Sequence, residues 1–153
     1  SLLHFLPPFS HSLLICKSYP GFILLQIGIG AGVIDGSLGI IRIANVVNAE
    51  VNSYLDDSYD SLKAALDEAW QTTERLADLA WNNTPDNLAT LKLRAAAAEL
   101  TLAAAQSAAL HAGAKGYLMR SPAQRRVREA MFVAIVTPAL KHLRKEIAAL
   151  EAA

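Results

Sequence analysis

The sequence predicts an all-α fold, an antiparallel four-helix bundle, on three observations. Hydrophobic residues make up 53% of the 153 residues, in alanine and leucine runs that favour helix. Apolar residues recur at helical spacing, and no segment alternates in the manner of a β-strand. Four long helical segments follow one another through short connections, which is typical of a helix bundle. The length suits one domain with a single core.

Residues 1–19 are predicted to be an apolar arm or the remnant of a preceding domain, and residues 20–153 the bundle domain. Pro7 and Pro8 interrupt the apolar run of the arm, and no basic segment precedes it, so a signal peptide is not indicated. The first helix is predicted from Pro20, which suits a first helical turn, to about Asn52. Five glycines share one face of it, which favours close approach of another helix: Gly21, Gly28, Gly32, Gly36 and Gly39.

The second helix is predicted from Asp56 to about Trp81, with Asp57 or Ser58 as its N-cap and with acidic residues in its first turns. Its apolar residues follow helical spacing.

The third helix is predicted to begin with Thr84 as the N-cap and Pro85 at the first helical position. It runs to about Ala112 through an alanine-rich stretch that lets neighbouring helices pack closely. Gly113 and Gly116 end it.

The fourth helix is predicted to begin at Ser121 and Pro122, which repeat the pattern of a cap followed by proline, and to reach about Leu150. Pro138 lies inside it and is expected to kink or break the helix near Val136.

Charge is unevenly distributed, although the formal net charge is zero. Residues 50–86 carry nine acids and two bases, whereas the chain from Lys115 onward carries eight bases and three acids. We interpret this as two neighbouring helices of opposite charge and expect no nucleic acid as a partner. Cys16 is the only cysteine, so an intrachain disulfide and a thiolate zinc site are excluded, and a cytoplasmic location is expected.

Residues 22–41 are mostly apolar and long enough to cross a membrane. Asp35 and Gln26 lie within this segment and make insertion costly, so a buried central helix is the expected alternative and no membrane partner is predicted. The glycines of residues 28–32 lack the βαβ context of a dinucleotide-binding loop and are interpreted as packing residues. No metal-ligand spacing and no nucleophile-elbow motif occurs, so neither a metal site nor a hydrolase is predicted.

The segment from Gly113 to Lys145 carries a family resemblance. Residues 113–117 read Gly-Ala-Lys-Gly-Tyr; four residues later, residues 122–130 read Pro-Ala-Gln-Arg-Arg-Val-Arg-Glu-Ala. This resembles, without a gap, the acyl-CoA dehydrogenase pattern Gln-x-x-Gly-Gly-x-Gly-Tyr, four residues, Pro-Val-Glu-Arg-x-x-Arg-Asp-Ala. The resemblance covers roughly residues 20–145 and implies the C-terminal helical domain of that family.

The resemblance implies a flavoprotein that binds FAD, oxidises acyl-CoA thioesters and forms a homodimer or homotetramer. In that family the glycine loop of one subunit lies against the FAD of its neighbour. By position, the cofactor-binding residues are Gly113, Ala114 and Gly116, whose small size lets backbone N–H groups approach phosphate or ribose.

Two positions depart from the family pattern. The glutamine of the motif falls at Leu110, and the usual catalytic glutamate falls at Thr137. Because threonine does not abstract an α-proton at ordinary pH, no catalytic residue is assigned within this chain.

The chain is therefore expected to be inactive alone. It is expected to be one part of a larger flavoprotein, and the N-terminal and β domains of that protein are not among these 153 residues. That protein is either a dehydrogenase or a flavin monooxygenase of the same fold. A stand-alone helical module for interaction or oligomerisation is the alternative.

Overall fold

The computed structural model describes the backbone of residues 11–153 and the side chains of residues 19–153. This part of the chain is helical and contains no strand. The elements are α1 (His11–Asn52), α2 (Tyr59–Trp81), α3 (Asn87–Ala112), a 3-10 turn (Gly113–Tyr117), α4 (Pro122–Ile135) and α5 (Leu140–Glu151). The all-α prediction is confirmed, and residues 1–10 of the predicted apolar arm lie outside the described residues.

Two of the predicted helix starts are confirmed. Ser58 caps α2: its side chain accepts from the N–H of Ser61, and the Ser61 hydroxyl accepts from the Ser58 N–H. Ser121 caps α4 by accepting from the N–H of Gln124 at 3.1 Å, and Pro122 occupies the first helical position. In both cases the side chain satisfies a backbone donor that the helix itself leaves unpaired.

The predicted start of α3 at Thr84 was wrong. Asp86 is the N-cap, and its carboxylate accepts from the N–H of Ala89 at 2.8 Å. The Thr84 hydroxyl instead donates to the carbonyl of Leu79 and so helps to close the end of α2. Two residues with cap-forming side chains flank Pro85, and the one that follows the proline begins the helix.

The bounds of α1 also differ from the prediction. The helix already includes the residues from His11 onward, so that Pro20 is buried inside it instead of opening it. Asn48 has φ −117° and ψ 23°, which interrupts the helix shortly before its end at Asn52.

The predicted break at Pro138 is confirmed. It separates α4 from α5, which the sequence had suggested as one long helix, because proline lacks a backbone donor and its ring obstructs the preceding turn.

The helices α1 and α3 form the centre of the bundle. Ile27 and Ala97 belong to one core cluster, and the Asn52 side chain reaches the His111 carbonyl, so the two helices run parallel. Their interface is the most extensive in the molecule. Within this interface, a Cβ added to Gly30 would lie 2.7 Å from the Thr101 hydroxyl.

The helices α2 and α4 lie on opposite sides of this central pair. Leu76, near the end of α2, packs with Ile27, whereas Leu62, near its start, packs with Ile41; α2 is therefore antiparallel to α1. Helix α4 packs on α1 and α3, and α5 packs on α3. The result is an antiparallel bundle of four helical rods whose last rod is broken in two.

The glycines of α1 do not approach another helix as predicted. A Cβ added to Gly21, Gly28, Gly32 or Gly39 would meet no atom within 4 Å. Gly36 is covered by the flexible side chain of Arg126. The helical face that these glycines share therefore points away from the bundle core.

The expected pairing between acidic α2 and basic α4 was also wrong, because these two helices do not pack on each other. The ion pairs between helices instead join α3 to α5, through Lys92 with Glu151 and Arg144 with Glu99. These pairs are half exposed, so each contributes little to stability.

Within the described part, α1 is the helix whose length and composition would suffice to cross a membrane. Half of its most apolar window is buried inside the bundle.

Candidate functional site

The loop that carries the family resemblance is a 3-10 turn between α3 and α4. Gly113 ends α3 with φ +61° and ψ −146°, a backbone conformation that is essentially restricted to glycine. Gly113, Ala114, Lys115 and Tyr117 are exposed. The loop therefore presents backbone and one cation to the surface at the end of the bundle.

Gly116 is buried, and packing within the chain accounts for its missing side chain. An added Cβ would lie 2.5 Å from the Ala109 carbonyl oxygen. The Ser121 hydroxyl donates to the Gly116 carbonyl at 2.9 Å and also caps α4. A cofactor contact at Gly116 stays a prediction, because the close approach seen here is to the end of α3. At Gly113 the space around an added Cβ is open.

A groove of about 360 Å³ lies beside this loop, between α1 and the start of α4. Its α1 wall is apolar and comprises Ile40, Ile43, Ala44 and Val47, with Asn48 at one end. Lys115 is the only charged residue among those that line it. An apolar wall with a single cation at the rim suits a ligand that combines an apolar surface with negative charge.

Leu110, at the position of the family glutamine, faces a different part of the surface. It is 55% exposed and lines a cleft of about 230 Å³ with Tyr54, Leu55 and Asp57 from the connection between α1 and α2. The structure thus places Leu110 apart from the groove beside Gly116.

His111, next to Leu110, is buried. Its Nδ1 lies 2.9 Å from the Ser107 carbonyl oxygen, so Nδ1 carries the proton and donates to the preceding helical turn. His111 thus has a structural hydrogen bond within α3.

Thr137 lies in the break between α4 and α5, with an exposed side chain. The 14 residues of α4 separate it from the Gly113–Tyr117 loop, a distance of about 20 Å along the helix axis. The loop that carries the resemblance and Thr137 are therefore at opposite ends of α4.

The arginines of the motif lie on a second cleft, of about 290 Å³, between α1 and α4. Its lining includes Arg125, Arg128 and Phe132 of α4 and Ile29 of α1. Hydrogen bonds from Arg125, and then from Arg126, hold the pKa of the Glu129 carboxyl below its usual range. Glu129, from the same helix, therefore compensates two cations near the start of α4.

A buried polar network was missed by the sequence reasoning. Arg94 is 1% exposed; its Nε donates to Gln26 Oε1 at 3.2 Å and its NH2 group donates to the Val133 carbonyl at 2.8 Å. Gln26 in turn donates to the Thr137 carbonyl at 2.7 Å. Burial lowers the pKa of Arg94.

This network binds carbonyl groups at the end of α4, which the break at Pro138 leaves without helical donors. A cation near a helix C-terminus is also favoured by the helix dipole. The available signal was a single arginine inside the alanine-rich α3, but only the packing shows which carbonyls it binds.

Among the described residues, no group of three or more histidine, cysteine, aspartate or glutamate side chains is arranged to hold a metal ion. No protein-family model matches the sequence, and no curated protein matches it significantly.

Proposed function

We propose that this chain is the C-terminal helical domain of an acyl-CoA dehydrogenase-like flavoprotein, which oxidises acyl-CoA thioesters with FAD. The observation that carries the proposal is the gap-free correspondence of the segment from Gly113 to Ala130 with the family motif. FAD supplies the hydride-accepting chemistry when it is bound, and acyl-CoA is the substrate of the whole protein.

The exposed loop supports a cofactor contact at Gly113 and Ala114. Gly113 leaves its backbone open, and the neighbouring Lys115 adds a positive charge suited to phosphate. The groove of about 360 Å³ is near the lower limit of ligand pockets, so it suits one part of a dinucleotide and not the whole. This chain would therefore complete a flavin site whose remainder lies on another domain or subunit.

The separation of Thr137 from the loop agrees with a shared site of this kind. In the family, the glycine loop contacts the flavin of a neighbouring subunit. The loop and the position of the family base, about 20 Å apart on one subunit, would then face two different flavins, although Thr137 itself supplies no base. The proposal accordingly includes a homodimer or homotetramer, in the cytoplasm, with no nucleic acid and no membrane as partner.

The test is an Ala114→Glu change in the complete product of the gene that encodes this sequence. Ala114 is exposed, so the fold should tolerate glutamate, but a carboxylate would repel the FAD phosphates. We expect the affinity for FAD to fall at least about tenfold, as measured by flavin fluorescence during titration with FAD.

The matched control is Ala96→Glu, at an exposed position of α3 outside the loop. It should leave FAD affinity within about twofold, since surface changes away from a site have small effects. Equal FAD affinities for the Ala114→Glu protein and the unchanged protein would contradict the assignment of this loop to the flavin site.

A stand-alone interaction module is the second candidate, and the exposed apolar residues of α1 favour it. Leu25, Ile43 and Val47 are each at least 70% exposed along one helix. A complete gene product that takes up no FAD but associates through this helix would support the module and exclude the flavoprotein.

A further inference from the structure

The cleft of about 290 Å³ between α1 and α4 has no role in the proposed flavin site. Helix α1 contributes Ile29 and Val33 to its lining, and α4 contributes Arg125, Arg128 and Phe132 among others. Within the described part of the chain, it shares no lining residue with the groove of about 360 Å³ beside the 3-10 turn. We call this second cavity the arginine cleft.

Helical spacing builds both walls of the arginine cleft. Arg125, Arg128 and Phe132 are three and four residues apart, so they share one face of α4. Ile29 and Val33, four residues apart on α1, line the opposite wall. Phe132 is 55% exposed and Ile29 is 49% exposed. The cleft therefore combines an open apolar surface with two guanidinium groups.

The charges of the arginine cleft are not balanced within it. Glu129 is the one acid among the described residues that line it, and its carboxylate already accepts hydrogen bonds from Arg125 and Arg126. Arg128 is exposed and forms no ion pair with any described residue. The α1 wall adds apolar side chains and no charge. One guanidinium group is therefore open to an anion.

This guanidinium group and its apolar neighbours define the chemistry of a ligand. A planar guanidinium binds a carboxylate through two parallel hydrogen bonds. The Phe132 ring, one helical turn from Arg128, offers an aromatic surface on which a second ring packs in an offset or edge-to-face arrangement. A ligand that uses both features carries one carboxylate on an aromatic ring.

We propose that the arginine cleft binds a small aromatic carboxylate, which pairs with Arg128 and packs its ring against Phe132 and Ile29. Ligand pockets commonly enclose about 300–1,000 Å³, so a cleft of about 290 Å³ suits a small molecule. A single open guanidinium group matches a monoanion. The proposal goes beyond the flavoprotein function and does not depend on it, because the cleft and the groove have separate linings.

Both parts of the ligand are needed for affinity. An ion pair on an exposed surface contributes little by itself, so an inorganic anion at Arg128 would be held weakly. A neutral aromatic molecule would cover Phe132 and Ile29 but leave the guanidinium group without its anion. The proposed specificity is therefore for charge and ring together.

Isothermal titration calorimetry of the complete gene product with 2-naphthoate tests this specificity. We expect one naphthoate to bind per chain, with 2-naphthamide and sodium phosphate at least about tenfold weaker. The amide has the same rings without the charge, and phosphate has charge without rings. Equal affinity for the amide or for phosphate would overturn the proposal, as would a protein that binds no naphthoate.

The charged half of the site is tested with Arg128→Gln. This change should weaken naphthoate binding at least about tenfold, because it removes the cation that holds the carboxylate. The matched control is Arg75→Gln on α2, an exposed arginine outside the cleft, which should stay within about twofold. Naphthoate binding that Arg128→Gln leaves unchanged would contradict the assignment.

The apolar half is tested with Phe132→Ala, which should weaken naphthoate binding at least about threefold. Met131→Ala is the control, since Met131 is 52% exposed on the same helix and does not line the cleft. Circular dichroism should show unchanged helix content in all four variants, because the altered side chains are exposed. Equal affinities for the Phe132→Ala and Met131→Ala proteins would overturn the proposed ring contact. A protein that binds naphthoate but takes up no FAD would contradict the flavoprotein function alone.

Discussion

Gly113 and Gly116 stand three residues apart in one loop, but two different physical requirements select them. Gly113 has a positive φ in open space, so its demand is conformational. Gly116 lies against the Ala109 carbonyl, so its demand is for space. Neither requirement involves a ligand. The stability of the loop can therefore be tested separately from its proposed contact with a flavin.

Alanine substitutions should reveal both requirements. We expect Gly116→Ala to lower the free energy of unfolding by about 1–3 kcal/mol, because the new methyl group meets backbone. Gly113→Ala should cost a similar amount, about 1–3 kcal/mol, through backbone strain. Urea unfolding followed by circular dichroism measures both. Gly32→Ala is the control: its surroundings are open within α1, so it should stabilise by up to about 1 kcal/mol.

Arg94 is the second residue whose role follows from its surroundings. It holds the Val133 carbonyl directly and supports, through Gln26, the hydrogen bond to Thr137. No carboxylate forms an ion pair with it among the described residues, so its charge is compensated by carbonyl dipoles. The side chain thus fixes the end of α4 to the central helices.

Replacement of Arg94 by methionine should lower the free energy of unfolding by roughly 2–4 kcal/mol, since it leaves buried carbonyl groups unpaired. Arg144→Met provides the comparison, because the Arg144–Glu99 ion pair is exposed and should contribute less than about 1 kcal/mol. Urea unfolding curves of the two variants measure the difference. Equal losses would show that the buried network does not stabilise the end of α4.

At the scale of elements, the existence of the helices could be predicted, but their exact ends could not. Periodicity over twenty or more residues identifies a helix because the apolar face must meet the core. The start of α3 depended on a local choice between Thr84 and Asp86 on either side of Pro85. The start of α1 was misplaced because Pro20, which also suits a first helical turn, lies inside a long helix in the structure.

The corrected start of α3 can be tested with two substitutions. Asp86→Ala should lower the free energy of unfolding by about 1 kcal/mol, because it removes the side-chain acceptor for the Ala89 N–H. Thr84→Ala should change it by less than about 0.5 kcal/mol, because that side chain is exposed and caps no N-terminus. Thermal unfolding ranks the two, and a larger loss for Thr84→Ala would restore the boundary predicted from the sequence.

The glycine pattern of α1 shows why packing partners are harder to predict than helices. The spacing correctly places these glycines on one face of α1, but the sequence does not show what lies against that face. In the structure the core is formed by the opposite side of α1, where Gly30 lies against Thr101 of α3. The side of α1 that carries the other glycines is exposed in this chain.

At the scale of the whole molecule, the proposed site could be located from the sequence only as a loop. The motif identified residues 113–117, and the structure adds the adjoining groove and the exposure of Ala114 and Lys115. The tertiary fold was needed to show that Leu110 and Thr137 lie away from that groove. Because Leu110 and Thr137 depart from the family pattern, the functional proposal rests on residues 113–117 of the loop and on the arginines of α4.

The flavin content of the complete gene product tests the central proposal most directly. We predict that the purified protein carries FAD, seen as a flavin absorbance spectrum, with one FAD released per chain on denaturation. A colourless protein that remains so after incubation with FAD, while sedimenting as a folded oligomer, would contradict the flavoprotein function and leave the interaction module.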